Sequence, residues 1–481
     1  DRGRGREDFE DDRRLMMRYW GVVFCFCLWG WGVQGQPEVA LKQLLETPGL
    51  NHAAIGISVK KVGDGTTVLA HQAGMALTPA SVTKLLPTVF ALQERGKDFR
   101  FKTRVGYTGK IQDGTLTGDL ILVAAGDPTL ESRYFPNHSL LSPIVTALEK
   151  AGIQRIDGSI RVEGALPGVN IPGSWPWEDV SNYYAALYLP FNYRDNTCFY
   201  HFQTGVAGTP AKLKEIVPAL PGVKIVNEVT AAAGNRDDAR GFGGPYSEVL
   251  CIRGTLPQNR TLFKVKGAIH RPAEVFVAEL TDILKARGIT VAKKKIEEQP
   301  RTEWLTLTSP ELGEIVFHTN KASVNLFAEA LGCLVAPADW PEKVGMLLKE
   351  AGIPAEGMIL KDACGLSPMD AVPASVFTDL LVYADKVVGE TLGRSLPVAG
   401  KDGGLSGYCI GATALKGRMQ AKTGSMSGVR CLAGYLTTTG NERMAFTVLI
   451  NLFQIETNSP CIFSTIIHNC KKRSENSCKV C

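Results

Sequence analysis

A serine and a lysine three residues apart, in Ser81-Val82-Thr83-Lys84, are the residues of this chain best placed to do chemistry. On one turn of helix the hydroxyl and the amine share a face, about 5–6 Å apart at Cβ. An amine so placed can take the hydroxyl's proton and make the serine a nucleophile. The pattern is common, and a serine that merely opens a helix fits it as well. Ser58-Val59-Lys60-Lys61 also fits, but within an alternating run (Ile55, Ile57, Val59) that predicts a strand and splays the pair apart. Two further short motifs follow downstream. Ser323-Val324-Asn325 is Ser-x-Asn, with a duplicate at Ser474-Glu475-Asn476 in a tail that has no apolar period. Lys422-Thr423-Gly424 occurs once, at the end of a predicted strand, and Ser425 follows it. Alone, the lysine reads as a solvated strand-end charge and the asparagine as a local hydrogen bonder. In this order and setting, the three motifs point to one site.

The elements that must position these residues are legible in the periodicity. Residues 37–50 predict an amphipathic helix, and residues 53–59 and 66–70 predict two strands joined by the turn Gly63-Asp64-Gly65. A helix follows from Ser81, with Leu85, Leu86, Val89, Phe90 and Leu92 as its buried stripe. Pro87 lies inside it and cannot donate to the Thr83 carbonyl, which predicts a kink or a loosened first turn. From 101 to 300 the pattern is short strands and loops, with helices predicted at 143–152 and 273–286 and an aromatic-rich loop at 165–200 that packs on a neighbour. Residues 312–335 predict helix, carrying Ser323 and Asn325 within it. Further helices are predicted at 342–351 and 374–387, and three strands at 417–423, 430–437 and 443–451.

With 481 residues, 44% of them hydrophobic, the chain is long enough for two or three domains with large cores. The net charge of +5 is small for this length, and no basic stripe is interleaved with aromatics, which disfavours nucleic acid as a partner. Seven histidines and twelve cysteines show no metal-ligand spacing, so neither a metal nor another cofactor is expected. The scattered cysteines identify no disulfide pairs. No Gly-x-Ser-x-Gly elbow and no phosphate loop is present, which disfavours the Ser-His-Asp hydrolases and the nucleotide enzymes.

Met16-Met17-Arg18, an apolar run from Tyr19 to Val33, and small residues before Gln36-Pro37 predict an export signal over 16–35. The run is too short for a span, so membrane association is expected to be at most peripheral. Residues 1–15 precede the first methionine and read as doubtful upstream sequence. Residues 454–481, with four cysteines and no period, read as a doubtful or disordered tail.

Ser-x-x-Lys, Ser-x-Asn and Lys-Thr-Gly together resemble the serine, penicillin-recognising acyltransferases. More narrowly, the chain resembles the class C low-molecular-mass penicillin-binding proteins, the DacB-type D-alanyl-D-alanine carboxypeptidases and endopeptidases. The gap of 242 positions from Ser81 to Ser323 fits that family's inserted domains. So do the flanking segments Gly118-Asp119-Leu120, Gly126-Asp127-Pro128-Thr129-Leu130, Ser323 through Glu329, Gly365-Leu366-Ser367 and Leu396-Pro397-Val398-Ala399-Gly400. The chain departs from the family at Pro87 (threonine nearby), Cys364 (serine) and Gly404 (threonine), and its tail lacks the terminal helix.

The resemblance implies an α+β fold. Residues 37–100 and 301–453 would form a discontinuous transpeptidase-like catalytic domain of helices on an antiparallel sheet, with a β-rich insertion at 101–300. It implies an exported enzyme of the periplasm or cell envelope that acts on peptidoglycan stem peptides and is inhibited by β-lactams. Ser81 would attack the D-Ala–D-Ala carbonyl and Lys84 would accept its proton, its pKa lowered by burial or by the charge of Lys422. Ser323 would relay a proton to the leaving D-alanine, and Asn325 would bond the substrate amide or Lys84. Lys422, Thr423, Gly424 and Ser425 would form the substrate-binding edge, and the Ser81 and Ser425 N–H groups the oxyanion hole. The competing functions are a β-lactamase or esterase, and a non-catalytic cell-wall-binding scaffold of the same fold.

Overall fold

The computed structural model describes residues 36–47, 49–164, 172–245, 247–297, 299–407 and 416–453. The expected export signal, the upstream segment and the tail from 454 lie outside the described residues.

Two strands from the start of the chain and three from its end build one antiparallel sheet. They are β1 (Ala54–Lys61), β2 (Thr67–His71), β3 (Met419–Met426), β4 (Val429–Thr437) and β5 (Arg443–Asn451), in the order β3-β4-β5-β1-β2. The junction of the two ends is the β1–β5 ladder, from Ala54 opposite Asn451 to Lys61 opposite Met444. β5 lies at the middle of the sheet and is buried on both faces. Its alternation sends Met444, Phe446, Val448 and Ile450 into one apolar core and Ala445 and Leu449 into the other. The first core also takes Leu44 from the helix Gln36–Leu45.

The larger core holds the helices. Among them are α1 (Leu85–Arg95), α2 (Leu312–Lys321), α3 (Asn325–Val335) and α4 (Ala374–Val387), with the helices Trp340–Glu350 and Glu390–Ser395 packed on the same core. α4 packs on β1 and β5, where the Thr378 hydroxyl bonds the Thr447 hydroxyl at 2.9 Å. The second Ser-x-x-Lys pair lies on β1, where Ser58 is buried and Lys61 is half-buried and paired with Glu442 at 2.8 Å, so the two side chains do not meet.

Between α1 and α2 the chain is β-rich, with four smaller sheets around a core of its own. The strand Arg301–Thr308, which the expected boundary at 300 assigns to the catalytic segment, is hydrogen-bonded to Lys102–Thr108 in one of these sheets. A small apolar cluster joins this middle segment to the helical core: Trp175, Ala185 and Leu187 against Ala328 and Cys364. No helix among the described residues is long and apolar enough to cross a membrane.

Candidate active site

Ser81 opens no regular α-helix. Ala80–Lys84 is a 3-10 turn, and α1 begins only at Leu85. In a 3-10 turn residues i and i+3 eclipse, which aligns Ser81 and Lys84 more closely than an α-turn would. This also settles Pro87. It falls at the third position of α1, within the first turn whose N–H groups lack intrahelical partners, so its missing donor is no defect; of the two expectations the loosened first turn is the one seen, as the 3-10 turn Ala80–Lys84. The turn is held from two sides by glycines that admit close backbone approach. A Cβ on Gly424 would sit 2.5 Å from the Pro79 carbonyl oxygen, and one on Gly365 would sit 1.9 Å from that of Ala80. Strand β3 and the 361–367 loop therefore press directly on the residues around Ser81.

Lys84 is fully buried. Its Nζ lies 2.8 Å from Ser81 Oγ and donates to the Cys364 carbonyl at 2.6 Å. Burial holds its pKa below the usual lysine value, while Cys364, Asp362 and Glu329 act the other way. Of the two expected causes, burial and the charge of Lys422, burial is the one that acts on Lys84. The coupling shows instead on Lys422, which burial first and Lys84 second push well down. A neutral lysine amine has a free lone pair, which is what a base facing a serine needs.

The helix expected over 312–335 is broken at Ser-x-Asn. α2 stops at Lys321, Ser323 takes φ +56°, and α3 starts at Asn325. The break aims Ser323 Oγ at Lys422 Nζ, 2.9 Å away, and Lys422 also donates to the Thr423 carbonyl at 2.8 Å. Asn325 is not embedded in a helix but begins one, and its Nδ2 is committed to the Tyr184 carbonyl at 2.7 Å. Along β3, Thr423 is half-buried, Gly424 buried and Ser425 exposed. Gly404 leaves room beside Thr423, because a Cβ there would come within 2.7 Å of Thr423 Oγ1. The structure thus joins Ser81 to Lys84 and Ser323 to Lys422, with Asn325 anchored to the middle segment.

Sequence reasoning missed the carbonyl that holds Lys84 and the carboxyls behind it. Carboxyl and thiol atoms of Glu329, Asp362 and Cys364 lie within 4.8 Å of one another. Burial first, and Asp362 second, push the Glu329 carboxyl up to about 8. The folded chain keeps this proton, whereas the unfolded chain releases it near the ordinary value of 4.5. The resulting stability is complete below the unfolded pKa and is lost as pH rises through the folded one. The melting temperature should therefore fall as pH rises from 4.5 to about 8, and Glu329→Gln should flatten that fall. Identical slopes in thermal melts of the two chains would exclude a buried, protonated Glu329.

The chain as a whole has relatives among known proteins. A family model described as D-Ala-D-Ala carboxypeptidase 3 (S13) matches residues 38–461. The chain is 28% identical over 440 residues to a D-alanyl-D-alanine carboxypeptidase of Actinomadura sp. (strain R39), covering 85% of this chain and 79% of that one. It is 26% identical over 427 residues to the D-alanyl-D-alanine carboxypeptidase DacB of Haemophilus influenzae, covering 82% and 85%. The crystal structure of penicillin binding protein 4 from Haemophilus influenzae shares the fold, with a TM-score of 0.74 at 24% identity over 86% of this chain and 94% of that one.

Proposed function

The chain belongs to the D-Ala-D-Ala carboxypeptidase 3 (S13) family, and from that premise we propose that it removes the terminal D-alanine from peptidoglycan stem peptides through an acyl-enzyme on Ser81. The observation that carries this reading is the buried Lys84 amine, 2.8 Å from Ser81 Oγ and held below the usual lysine pKa by burial.

Ser81 Oγ attacks the carbonyl carbon of the penultimate D-alanine, and its proton passes to Lys84 Nζ. Backbone N–H groups of Ser81 and Ser425 donate to the oxygen that becomes negative, each such donor being worth typically about 2.7–4 kcal/mol. The C–N bond breaks as the proton taken up by Lys84 passes on through Ser323, which is linked to Lys422, to the leaving amine, so Lys84 is again the free amine. D-alanine departs and an ester on Ser81 remains. Water adds to that ester, giving one proton to Lys84, which returns it to Ser81 Oγ as the ester C–O bond breaks; the shortened peptide leaves as a carboxylate, its remaining proton going to solvent. Lys422, Thr423 and Ser425 hold the substrate's terminal carboxylate. Burial disfavours charge on an empty-site Lys422, and an arriving carboxylate supplies the opposite charge that restores it. β-Lactams acylate the same serine. Cleavage of cross-links as an endopeptidase uses the same chemistry with a larger leaving group. The predicted export signal supports action in the periplasm or cell envelope.

The test is covalent labelling by a fluorescent penicillin together with release of D-alanine from a stem-peptide substrate. We expect both activities in the wild-type chain and neither in Ser81→Ala. Labelling that persists in Ser81→Ala would assign the wrong nucleophile, and a folded wild type that releases no D-alanine would favour the scaffold function.

A further inference from the structure

Asp362 is 2% exposed and yet accepts four hydrogen bonds. The N–H of Gly365 reaches Oδ1 at 2.6 Å, and those of Leu366 and Ser367 reach Oδ2 at 3.0 and 2.7 Å. The indole N–H of Trp175, from the middle segment, reaches Oδ2 at 2.8 Å. A carboxylate offers about four lone-pair sites; here three donors share Oδ2 and one takes Oδ1. Glu329 and Asp370 hold the flanking amides, Ala363 N–H at 2.9 Å and Lys361 N–H at 2.7 Å. Within a loop tied this closely, the Cys364 carbonyl is the acceptor that meets Lys84 Nζ, at 2.6 Å. A cavity of about 410 Å³, lined by Trp175, Glu329, Trp340 and Asp362 among others, opens behind the loop. Packing from the rear is therefore thin there, and the hydrogen bonds carry the loop's position.

A neutral amine has two N–H bonds and one lone pair. With one N–H given to the Cys364 carbonyl, Nζ cannot turn freely about its flexible stem, and the lone pair stays on Ser81 Oγ. We propose that Asp362 is a positioning residue for acylation, holding the Cys364 carbonyl on Lys84, and that Trp175 makes this hold depend on the middle segment. The inference rests on the acyl-enzyme reading above and adds residues outside the three motifs. It gives the middle segment a direct link to the base, through one indole N–H that spans 187 positions of sequence.

The experiment follows penicillin acylation of the full chain by rapid mixing, separating the dissociation constant of the initial complex from the acylation rate constant across pH. In Asp362→Asn, one acceptor oxygen becomes a donor facing N–H groups, and the loop shifts. We expect the plateau rate constant to fall about a hundredfold, the loss typical of a misplacement of about 1 Å, with the dissociation constant little changed. The groups facing Lys84 are Ser81 on its own turn, Cys364 and Asp362 on the loop, Glu329 on α3 and Lys422 on β3. Losing the negative charge of Asp362 favours the free amine, so the acid limb of the profile should move to lower pH as the plateau falls. A merely structural defect would lower the labelled fraction and leave that limb in place.

Trp175→Phe keeps an aromatic ring among Ala185, Leu187 and Ala328 while removing the N–H with the bulk of the second ring, so, read on the fraction that a thermal melt shows folded, it decides the matter even where Asp362→Asn fails to fold. It should slow acylation about fivefold to tenfold, as for one weakened charge-assisted hydrogen bond. A wild-type rate and acid limb in Trp175→Phe, or an unchanged plateau in folded Asp362→Asn, would overturn the proposal. A folded wild type that takes no label would instead remove the acyl-enzyme reading itself, and this inference with it.

Discussion

Lys84→Met should fold, bind penicillin and acylate at least about a thousandfold more slowly than wild type, within the range a positioned base contributes. Methionine fills most of the lysine's volume, so the core around Val82 and Leu85 keeps its packing. What disappears is the lone pair facing Ser81 and the N–H on the Cys364 carbonyl. Lys422 is the other buried amine of the site, but its Nζ is turned to Ser323 and the Thr423 carbonyl, and Ser323 Oγ is the hydroxyl it serves. The pH profile adds an independent check. Acylation by wild type should rise with pH as Lys84 loses its proton, at a pH below the ordinary lysine value of 10.5 because burial disfavours the ammonium. Lys84→Met should lack that limb. Acylation within tenfold of wild type, with the same limb, would move the role of base to another group.

The three motifs were legible because each packs its chemistry into three or four consecutive residues. The sheet was legible too: β1 and β5 are runs of apolar residues with β-branched members, and the strands expected at 430–437 and 443–451 match Val429–Thr437 and Arg443–Asn451 within a residue. Local geometry at the motifs was harder to read. The apolar period runs through 312–335 with no proline or glycine at Ser323, so nothing marked the break that gives Ser323 its left-handed backbone. Pro87 looked like an interior defect only because the 3-10 turn before α1 has no sequence signature distinct from an α-turn. Least legible was the support behind Lys84. The Cys364 position drew notice as a departure and Gly365-Leu366-Ser367 as a flank, yet the group that matters at 364 is a backbone carbonyl, which no side-chain type announces. Asp362 finds one of its donors in Trp175, and a hydrogen bond across 187 positions leaves no local period to detect. An aspartate three residues before a glycine was the one available signal, as the short side chain that commonly gathers successive N–H groups in a turn.

Gly365→Ala should damage the site more than its size implies, and Gly352→Ala provides the comparison. Both glycines have positive φ, +77° and +70°. Each alanine carries the left-handed backbone penalty of about 1–2 kcal/mol. At Gly352 nothing lies within 4 Å of the new Cβ, so the penalty should end there and penicillin labelling should be unaffected. At Gly365 the Cβ would lie 1.9 Å from the Ala80 carbonyl oxygen, 2.5 Å from its carbon and 2.8 Å from Thr83 Oγ1. Two of these neighbours are backbone atoms of the turn that presents Ser81, and Ala80 is itself held at φ +46°. Neither side can yield by a rotamer change, so the loop and the turn must part. Overpacking of this kind adds about 1–3 kcal/mol of destabilisation. Parting also withdraws the Cys364 carbonyl from Lys84 and shifts Ser81 relative to β3, so acylation should slow by about a hundredfold or more in the fraction that remains folded. Thermal melts and single-turnover labelling of the two variants separate these effects. Equal losses in both would mean that the close approach of the loop to the Ser81 turn contributes nothing. A Gly365→Ala chain destabilised beyond Gly352→Ala but acylated at the wild-type rate would mean that the approach serves stability alone.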